Sequence, residues 1–395
     1  RKKETMAYNI PLIIRGKVIE GADLEFGGRG GRAAFTTPDV RKYIQDLPLA
    51  RPSLMADVHA LKFDEIVDYL DQLANALALD RNPYIREAME LSKQTSGLLE
   101  GSVEKFFRNI DFWFRPAYVR ETARNTLGNE HLDGWAPRPM DRGTMAWVRP
   151  FGARAVHVLA GNVPAPACQG VMRNAITRSD AIFKSPSNDP ATAAGIARTM
   201  CAMAPHHPLS QHLTVAYWKG GDAEVEDALY RPDRVEKIVA WGGEASMRHI
   251  TKYIQPGVDL VPMDPKLSSA IVAKEAFTSE ANMRDAAERL ALDVGYYNQQ
   301  GCANARVAYI QTGLDKDGIA LANRFGKMVF EAIQGLPPEA SAPAIALLGE
   351  LAEEVQSLQM MSDEHKVFGS GREGAVIVSQ LAEPVDFSRL LADRV

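Results

Sequence analysis

At 395 residues, 46% of them hydrophobic, the chain is too long for one compact core and predicts two domains. Forty-five basic against fifty acidic residues leave a formal charge of −5 with no long run of one sign, which argues against nucleic acid as a main partner. No apolar run is long enough to span a bilayer and RKKETMAYN lacks the apolar stretch of a signal peptide, so a soluble cytoplasmic protein is expected.

The first sixty residues read as an irregular segment, with Pro11, Pro38, Pro48 and Pro52 and the glycine cluster FGGRGGRAAF. That cluster has neither the spacing nor the strand-to-helix setting of a phosphate loop, and predicts a turn. Helix begins in FDEIVDYLDQLANAL, where Phe63, Ile66, Val67, Leu70, Leu73 and Leu77 recur three or four apart. A partly amphipathic stretch follows to Glu100, and DFWFRPAY (111–118) reads as aromatic packing.

From residue 154 strand and helix patterns take turns. ARAVHVLA, DAIFK, HLTVAYW and EKIVAW read as buried strands, with helices between them. The helix over 189–204 has Asp189 as its predicted N-cap and Pro190 at its first position. A break follows near VDLVPMDPK (258–266), and then a second block: SSAIVAK, a helix over 279–295, RVAYIQ and a helix over 315–334. This alternation predicts βαβ units and mainly parallel sheets.

Chemistry is sparse locally. The cysteines, Cys168, Cys201 and Cys302, form no disulfide framework, and no Cys/His spacing points to a metal. Taken one at a time, each reads as a small buried hydrophobe. Polar turns fall where open α/β sheets bind ligands, beyond the carboxyl ends of strands: AGNVPAP, KSPSNDP, KGGD and WGGEAS. The GxGxxG fingerprint is absent. Lys184 ends its strand, where it could meet a ribose or phosphate or simply be solvated.

In this order the turns resemble the aldehyde dehydrogenase superfamily, and within it the long-chain acyl-CoA reductases (LuxC type) of bacterial bioluminescence. The resemblance rests on Asn162-Val163-Pro164, Lys184 with Pro190 six residues on, Trp241-Gly242-Gly243, and Asn298-Gln299-Gln300-Gly301-Cys302. It implies an α/β, aldehyde-dehydrogenase-like fold. An irregular segment (1–60) would be followed by a cofactor-binding domain (61–260), with an oligomerisation hairpin near 137–150. The catalytic domain (261–395) would be cut short, because family members continue past the point matching Val395.

The resemblance also implies roles. Cys302 would be the nucleophile, and Asn162 would donate to the developing oxyanion together with the backbone N–H of Cys302. Lys184 would hold the adenosine ribose, and Gly243 would let the following helix approach the pyrophosphate. Ser187, Gly220 and Trp241 would complete the cofactor site. Cys168 and Cys201 match no motif and stay as packing.

Two substitutions in the family pattern sharpen the expectation. Pro262-Met263-Asp264-Pro265-Lys266 stands where hydrolytic members carry a water-activating glutamate, with proline in its place and Asp264 close by. Ser187 stands where NAD-preferring members often carry a glutamate, which favours NADPH, with NADH as the alternative. The expected function is NADPH-dependent reduction of an acyl-CoA or acyl-protein thioester to an aldehyde, by a homo-oligomer. An acid- or acyl-CoA-forming aldehyde dehydrogenase and a catalytically silent subunit are the alternatives.

Overall fold

The computed structural model describes residues 8–28, 33–263, 267–344 and 349–382. Most of the GGRGGR turn (29–32) and Asp264, Pro265 and Lys266 of the PMDPK run lie outside them. The chain divides into two compact units, Arg1–Gly97 with Phe106–Asp264 and Leu98–Lys105 with Pro265–Val395.

The first unit is built on a seven-stranded sheet. Its strands run in the order Asp259–Met263, Lys237–Trp241, Arg154–Val158, Asp180–Lys184, Leu213–Ala216, Leu12–Ile14 and Lys17–Ile19. The first five are parallel, and the last two are antiparallel additions. DAIFK and LTVA are buried at every position, as continuous apolar strands of a parallel sheet covered on both faces should be. The core gathers Leu12, Val156, Ile182, Trp218, Leu229, Ile238 and Ile250.

Three sequence readings are revised. The first sixty residues are not irregular: Leu12–Ile14 and Lys17–Ile19 complete the large sheet, and Tyr8–Asn9, Ala34–Thr37 and Leu24–Gly27 form a small one. Their strands are too short for periodicity to register. VDLVPM does not break the pattern but forms the edge strand Asp259–Met263, where Pro262 is tolerated because an edge leaves one side of the ladder unpaired. The second helix of the alternating block begins at Thr192 rather than Pro190. Its N-cap is Ala191, without a side-chain cap, rather than the expected Asp189, which lies two residues earlier and accepts from the Thr192 N–H at 3.3 Å and the Thr192 hydroxyl at 2.6 Å.

At the amino ends of the strands, buried Asp180 accepts from Arg15 Nη2 at 3.1 Å and from His212 Nδ1 at 2.8 Å, while His212 Nε2 bonds Asp57 at 2.9 Å. Burial pushes Asp180 upward, but the bonds from His212 and Arg15 outweigh it and hold the carboxyl below its ordinary value of 3.8. Burial likewise pushes His212 down, and its two carboxylates outweigh that and raise it above 6.5. Asp180 therefore stabilises the fold above about pH 4 and loses that contribution in acid. His212 stabilises fully below about pH 6.5 and loses its contribution as pH rises through its raised value. Asp180→Ala strips Arg15 of its ion-pair partner and leaves the buried His212 with Asp57 alone. It should cost about 3–5 kcal/mol, lower the melting temperature by roughly 6–12 °C, and flatten the stability maximum between about pH 4 and 6.5. Thermal melts across pH check both effects.

A separate antiparallel pair, Ala136–Pro139 with Met145–Val148, leaves Trp147 61% exposed beside exposed Trp135, Met140 and Met145. In the second unit, described by itself, Ser268–Val272 pairs in parallel with Ala305–Ile310, and His365–Gly371 forms a hairpin with Gly374–Ser379. Helices Glu280–Gly295 and Lys316–Gln334 pack a core of Met283, Leu290, Phe325, Val329 and Ile333. Parallel pairing in this unit is confined, among the described residues, to that one two-stranded ladder. Among the described residues, no helix is long and apolar enough to cross a membrane.

Candidate active site

Strand order locates the crevice of the first unit. From Arg154–Val158 the chain builds outward one way through Asp180–Lys184 and Leu213–Ala216. It then returns to build the other way through Lys237–Trp241 and Asp259–Met263. The reversal lies between Arg154–Val158 and Lys237–Trp241, and ligands of open α/β sheets bind beyond the carboxyl ends at such a point. The turn carrying Asn162 follows one of these strands, and Trp241-Gly242-Gly243 ends the other.

Lys184 is buried at 8% exposure at the end of its strand. Its ammonium lies 5.6 Å from the Trp218 ring centre and 6.0 Å from that of Tyr217, within cation–π range. Burial pushes the Lys184 amine down to about 8, against an upward pull from Glu226. Around these strand ends Ser185 Oγ, Trp218 Nε1 and Trp241 Nε1 are buried without a hydrogen-bond partner among the described residues. Buried polar atoms left open are costly, and here they cluster where a ligand would supply partners.

The glycines divide by role. Gly243 precedes helix Glu244–Thr251 with no side-chain cap, and an added Cβ would meet nothing within 4 Å. An uncapped helix start with space beside its glycine is the setting an incoming phosphate requires. Gly220 is equally open. Its neighbour Gly221 is the residue whose backbone demands glycine, at φ +85°. Ser187 is half-buried and contributes no carboxylate. These residues fit a nicotinamide dinucleotide: a buried cation, an uncapped helix start, and orphaned donors.

Asn162 is half-buried between Gly161 and the start of helix Ala165–Thr177. Its turn packs on the next strand's turn so closely that a Cβ on Gly161 would lie 2.0 Å from Asn188 Oδ1 and 2.7 Å from Pro186 Cγ. Asn188 is itself buried, and its carbonyl accepts from Thr95 Oγ1 at 3.0 Å. Gly161 thus lets the turn before Asn162 pack against Asn188, a closeness no spacing rule in the sequence reveals.

Cys302 belongs to the second unit and is exposed, whereas Cys168 is buried and Cys201 partly so. Burial pushes the Cys201 thiol up to about 11 and the Cys168 thiol well above its ordinary value, which suits packing. Ahead of Cys302, Tyr297, Asn298 and Gln299 hold consecutive left-handed conformations, at φ 54°, 49° and 64°. Each costs about 1–2 kcal/mol outside glycine, less for asparagine. Asn298 secures the run: its amide donates to the Ala342 carbonyl at 2.9 Å and accepts from the Ala342 N–H and Ser341 hydroxyl, both at 3.0 Å. Gln299 donates to the Ala305 carbonyl at 3.1 Å. Gly301 N–H donates to Asn304 Oδ1 at 2.8 Å, and Ser268 Oγ donates to the Cys302 carbonyl at 2.7 Å. The Asn-Gln-Gln-Gly approach is thus a scaffold that presents the thiol. Ser268, Asn304 and Ser341 belong to it without any signal in the sequence pattern.

The same unit holds an apolar cavity of about 490 Å³, lined by Val307, Ile310, Phe325, Val329, Val376 and Val378 among others. The strands flanking it, Ala305–Ile310 and Gly374–Ser379, each pair along one edge only among the described residues. The cavity is therefore bordered by open backbone as well as apolar side chains, and Cys302 is not among its lining residues.

Comparison with known proteins follows the same lines. Residues 58–387 match the model of the acyl-CoA reductase (LuxC) family. A long-chain acyl-protein thioester reductase of Photorhabdus luminescens is 31% identical over 192 residues, covering 48% of this chain and 38% of that relative. A namesake from Aliivibrio fischeri is 30% identical over 184 residues, 46% of this chain and 36% of that one. The matched stretches thus span less than half of those relatives' length. Among solved structures, NADP-dependent glyceraldehyde-3-phosphate dehydrogenase from Bacillus halodurans, complexed with NADP, superposes with a TM-score of 0.66 at 15% identity, over 94% of this chain and 76% of that one. Lactaldehyde dehydrogenase from Escherichia coli gives 0.65 at 14% identity, over 92% and 75%. Those likenesses establish the fold as that of the aldehyde dehydrogenases, and the family match establishes the branch: the chain belongs to the acyl-CoA reductase (LuxC) family.

Proposed function

We propose that the protein reduces an acyl thioester, carried by coenzyme A or by an acyl-bearing protein, to an aldehyde through an acyl-enzyme on Cys302, with NADPH as reductant. The observation that carries this reading is the exposed Cys302 on its hydrogen-bonded left-handed scaffold, within a chain of the reductase family. Cys302 Sγ, as thiolate, attacks the thioester carbonyl, and the donor thiol leaves with the bonding pair. The Asn162 side-chain N–H donates to the oxyanion as charge develops there. Lys184 donates to ribose hydroxyls, the open N–H groups after Gly243 receive the pyrophosphate, and Gly220, Trp241 and Ser187 shape the rest of the cofactor site. Reduced nicotinamide, when bound, supplies the hydride that takes the acyl-Cys302 thioester to a thiohemiacetal, which collapses to aldehyde and free thiol.

Pro262, at the position of the water-activating glutamate, offers no base, which supports reduction over hydrolysis. Ser187 leaves room for a 2′-phosphate without a like charge beside it. We further propose that the exposed face of the 136–148 hairpin joins copies of the chain and that the reaction is cytoplasmic. The test supplies acyl-CoA substrates of several chain lengths with NADPH and follows nicotinamide absorbance and aldehyde together. Consumption of NADPH matched by aldehyde is expected. Absence of both across all chain lengths, or acid as the only product from supplied aldehyde, overturns the reading.

A further inference from the structure

The mechanism above makes no use of Glu226, yet this carboxylate is only 1% exposed. It stands on helix Ala223–Leu229 and reaches two other elements of the candidate cofactor site. Oε1 accepts from the Gly221 N–H at 3.1 Å, holding the Gly220–Gly221 turn in its left-handed shape. Oε2 lies 2.6 Å from His249 Nε2, on the helix that begins beyond Gly243. The groups facing the carboxylate are the imidazole of His249, the phenols of Tyr230 and Tyr253, and the ammonium of Lys184, with Asp227 beyond Tyr253. No arginine is ion-paired to it among the described residues. A carboxylate this deep is retained at a cost unless its charge serves a neighbour.

Resting on the cofactor site proposed above, we propose that Glu226 is a positioning residue for the dinucleotide. One carboxylate fixes the Gly220–Gly221 turn and the helix after Gly243, and keeps the buried Lys184 ammonium charged for its ligand. Glutamine at this position can make both hydrogen bonds but carries no charge, so a purely structural role and an electrostatic one separate cleanly. Burial pushes the Lys184 amine down to about 8, and Glu226 pulls it back upward. Removing that pull lowers the pH at which the ammonium is lost, and cofactor affinity goes with it.

The experiment measures NADPH binding to the full chain by tryptophan fluorescence between pH 6.5 and 9.5, for wild type, Glu226→Gln, Glu226→Asp and Lys184→Met. Wild type should lose affinity as pH rises through about 8. Glu226→Gln should lose it at a lower pH than wild type, so that its Kd at pH 7.5 is the weaker of the two. Glu226→Asp, which keeps the charge, should retain the wild-type midpoint even where its overall affinity drops. Lys184→Met should show no alkaline loss in this range. Coincident midpoints for wild type and Glu226→Gln overturn the role of Glu226 while leaving the cofactor site standing. Should Glu226→Gln not fold, a midpoint for Glu226→Asp displaced from wild type overturns it equally. A wild type that binds no NADPH at any pH instead removes the cofactor reading itself.

Discussion

Cys302→Ala is expected to abolish acyl-enzyme formation and to lower thioester-dependent NADPH oxidation by at least roughly 10⁴-fold, with little change in stability. The thiol is exposed, so removing its sulfur opens no cavity, and its loop is held by the amides of Asn298, Gln299 and Asn304 rather than by the cysteine. Intact mass after incubation with acyl-CoA should show one adduct on wild type and none on the variant. Labelling with iodoacetamide at neutral pH should find Cys302 alone, since burial pushes the Cys201 thiol up to about 11 and the Cys168 thiol well above its ordinary range. An adduct retained by the variant would move the nucleophile elsewhere. An inert Cys302 in the wild type would favour a silent subunit.

Gly161→Ala should be nearly as damaging to turnover, although glycine and alanine differ by one methyl group. That methyl would sit 2.0 Å from Oδ1 of the buried Asn188 and 2.7 Å from Pro186 Cγ, so it meets two residues at once. The turn is expected to shift, and Asn162 with it. A displacement of about 1 Å at an oxyanion donor corresponds to a loss in kcat on the order of 10²-fold, close to the 10²–10³-fold from deleting such a donor outright. If Asn162 is the proposed oxyanion donor, Asn162→Ala should match Gly161→Ala, and the double variant should be little worse than either. Steady-state kinetics with a melting curve for each variant make the check. Additive losses in the double variant would separate Gly161 from Asn162.

What the sequence made legible is whatever its local chemistry controls. DAIFK and EKIVAW are apolar enough to announce themselves as strands of a parallel ladder, and strand order then places the turns after them at a crevice. Leu12–Ile14 has only three residues; its hairpin partner Lys17–Ile19 is local, but its other edge is filled by Leu213–Ala216, so no window along the chain contains its place in the large sheet. Pro262 reads as a breaker because proline removes a donor, yet an edge strand has a side on which none is needed. Glu226 reads as one acid among several in AEVEDAL, and only the packing of Tyr230, Tyr253 and His249 around it turns it inward. The run YNQ is harder still. Asparagine tolerates left-handed backbone, but tyrosine and glutamine give no hint of it, and the bonds that hold Asn298 come from Ser341 and Ala342.

The antiparallel strand Leu12–Ile14 has a consequence for how the protein is made. A ribosome adding about 5–20 residues per second completes this strand roughly 10–40 s before its partner at Leu213–Ala216 exists. During that interval the strand can pair only with its local hairpin partner Lys17–Ile19, and its other edge and three apolar residues, all buried in the finished sheet, stay uncovered. Closing the sheet then demands a loop of nearly 200 residues, the kind of distant pairing that slows folding and exposes strand edges to wrong partners. Nascent chains of this protein should accordingly depend on holding chaperones until the Leu213–Ala216 strand emerges. A permutation that brings the two strands together in sequence should fold faster than the natural order.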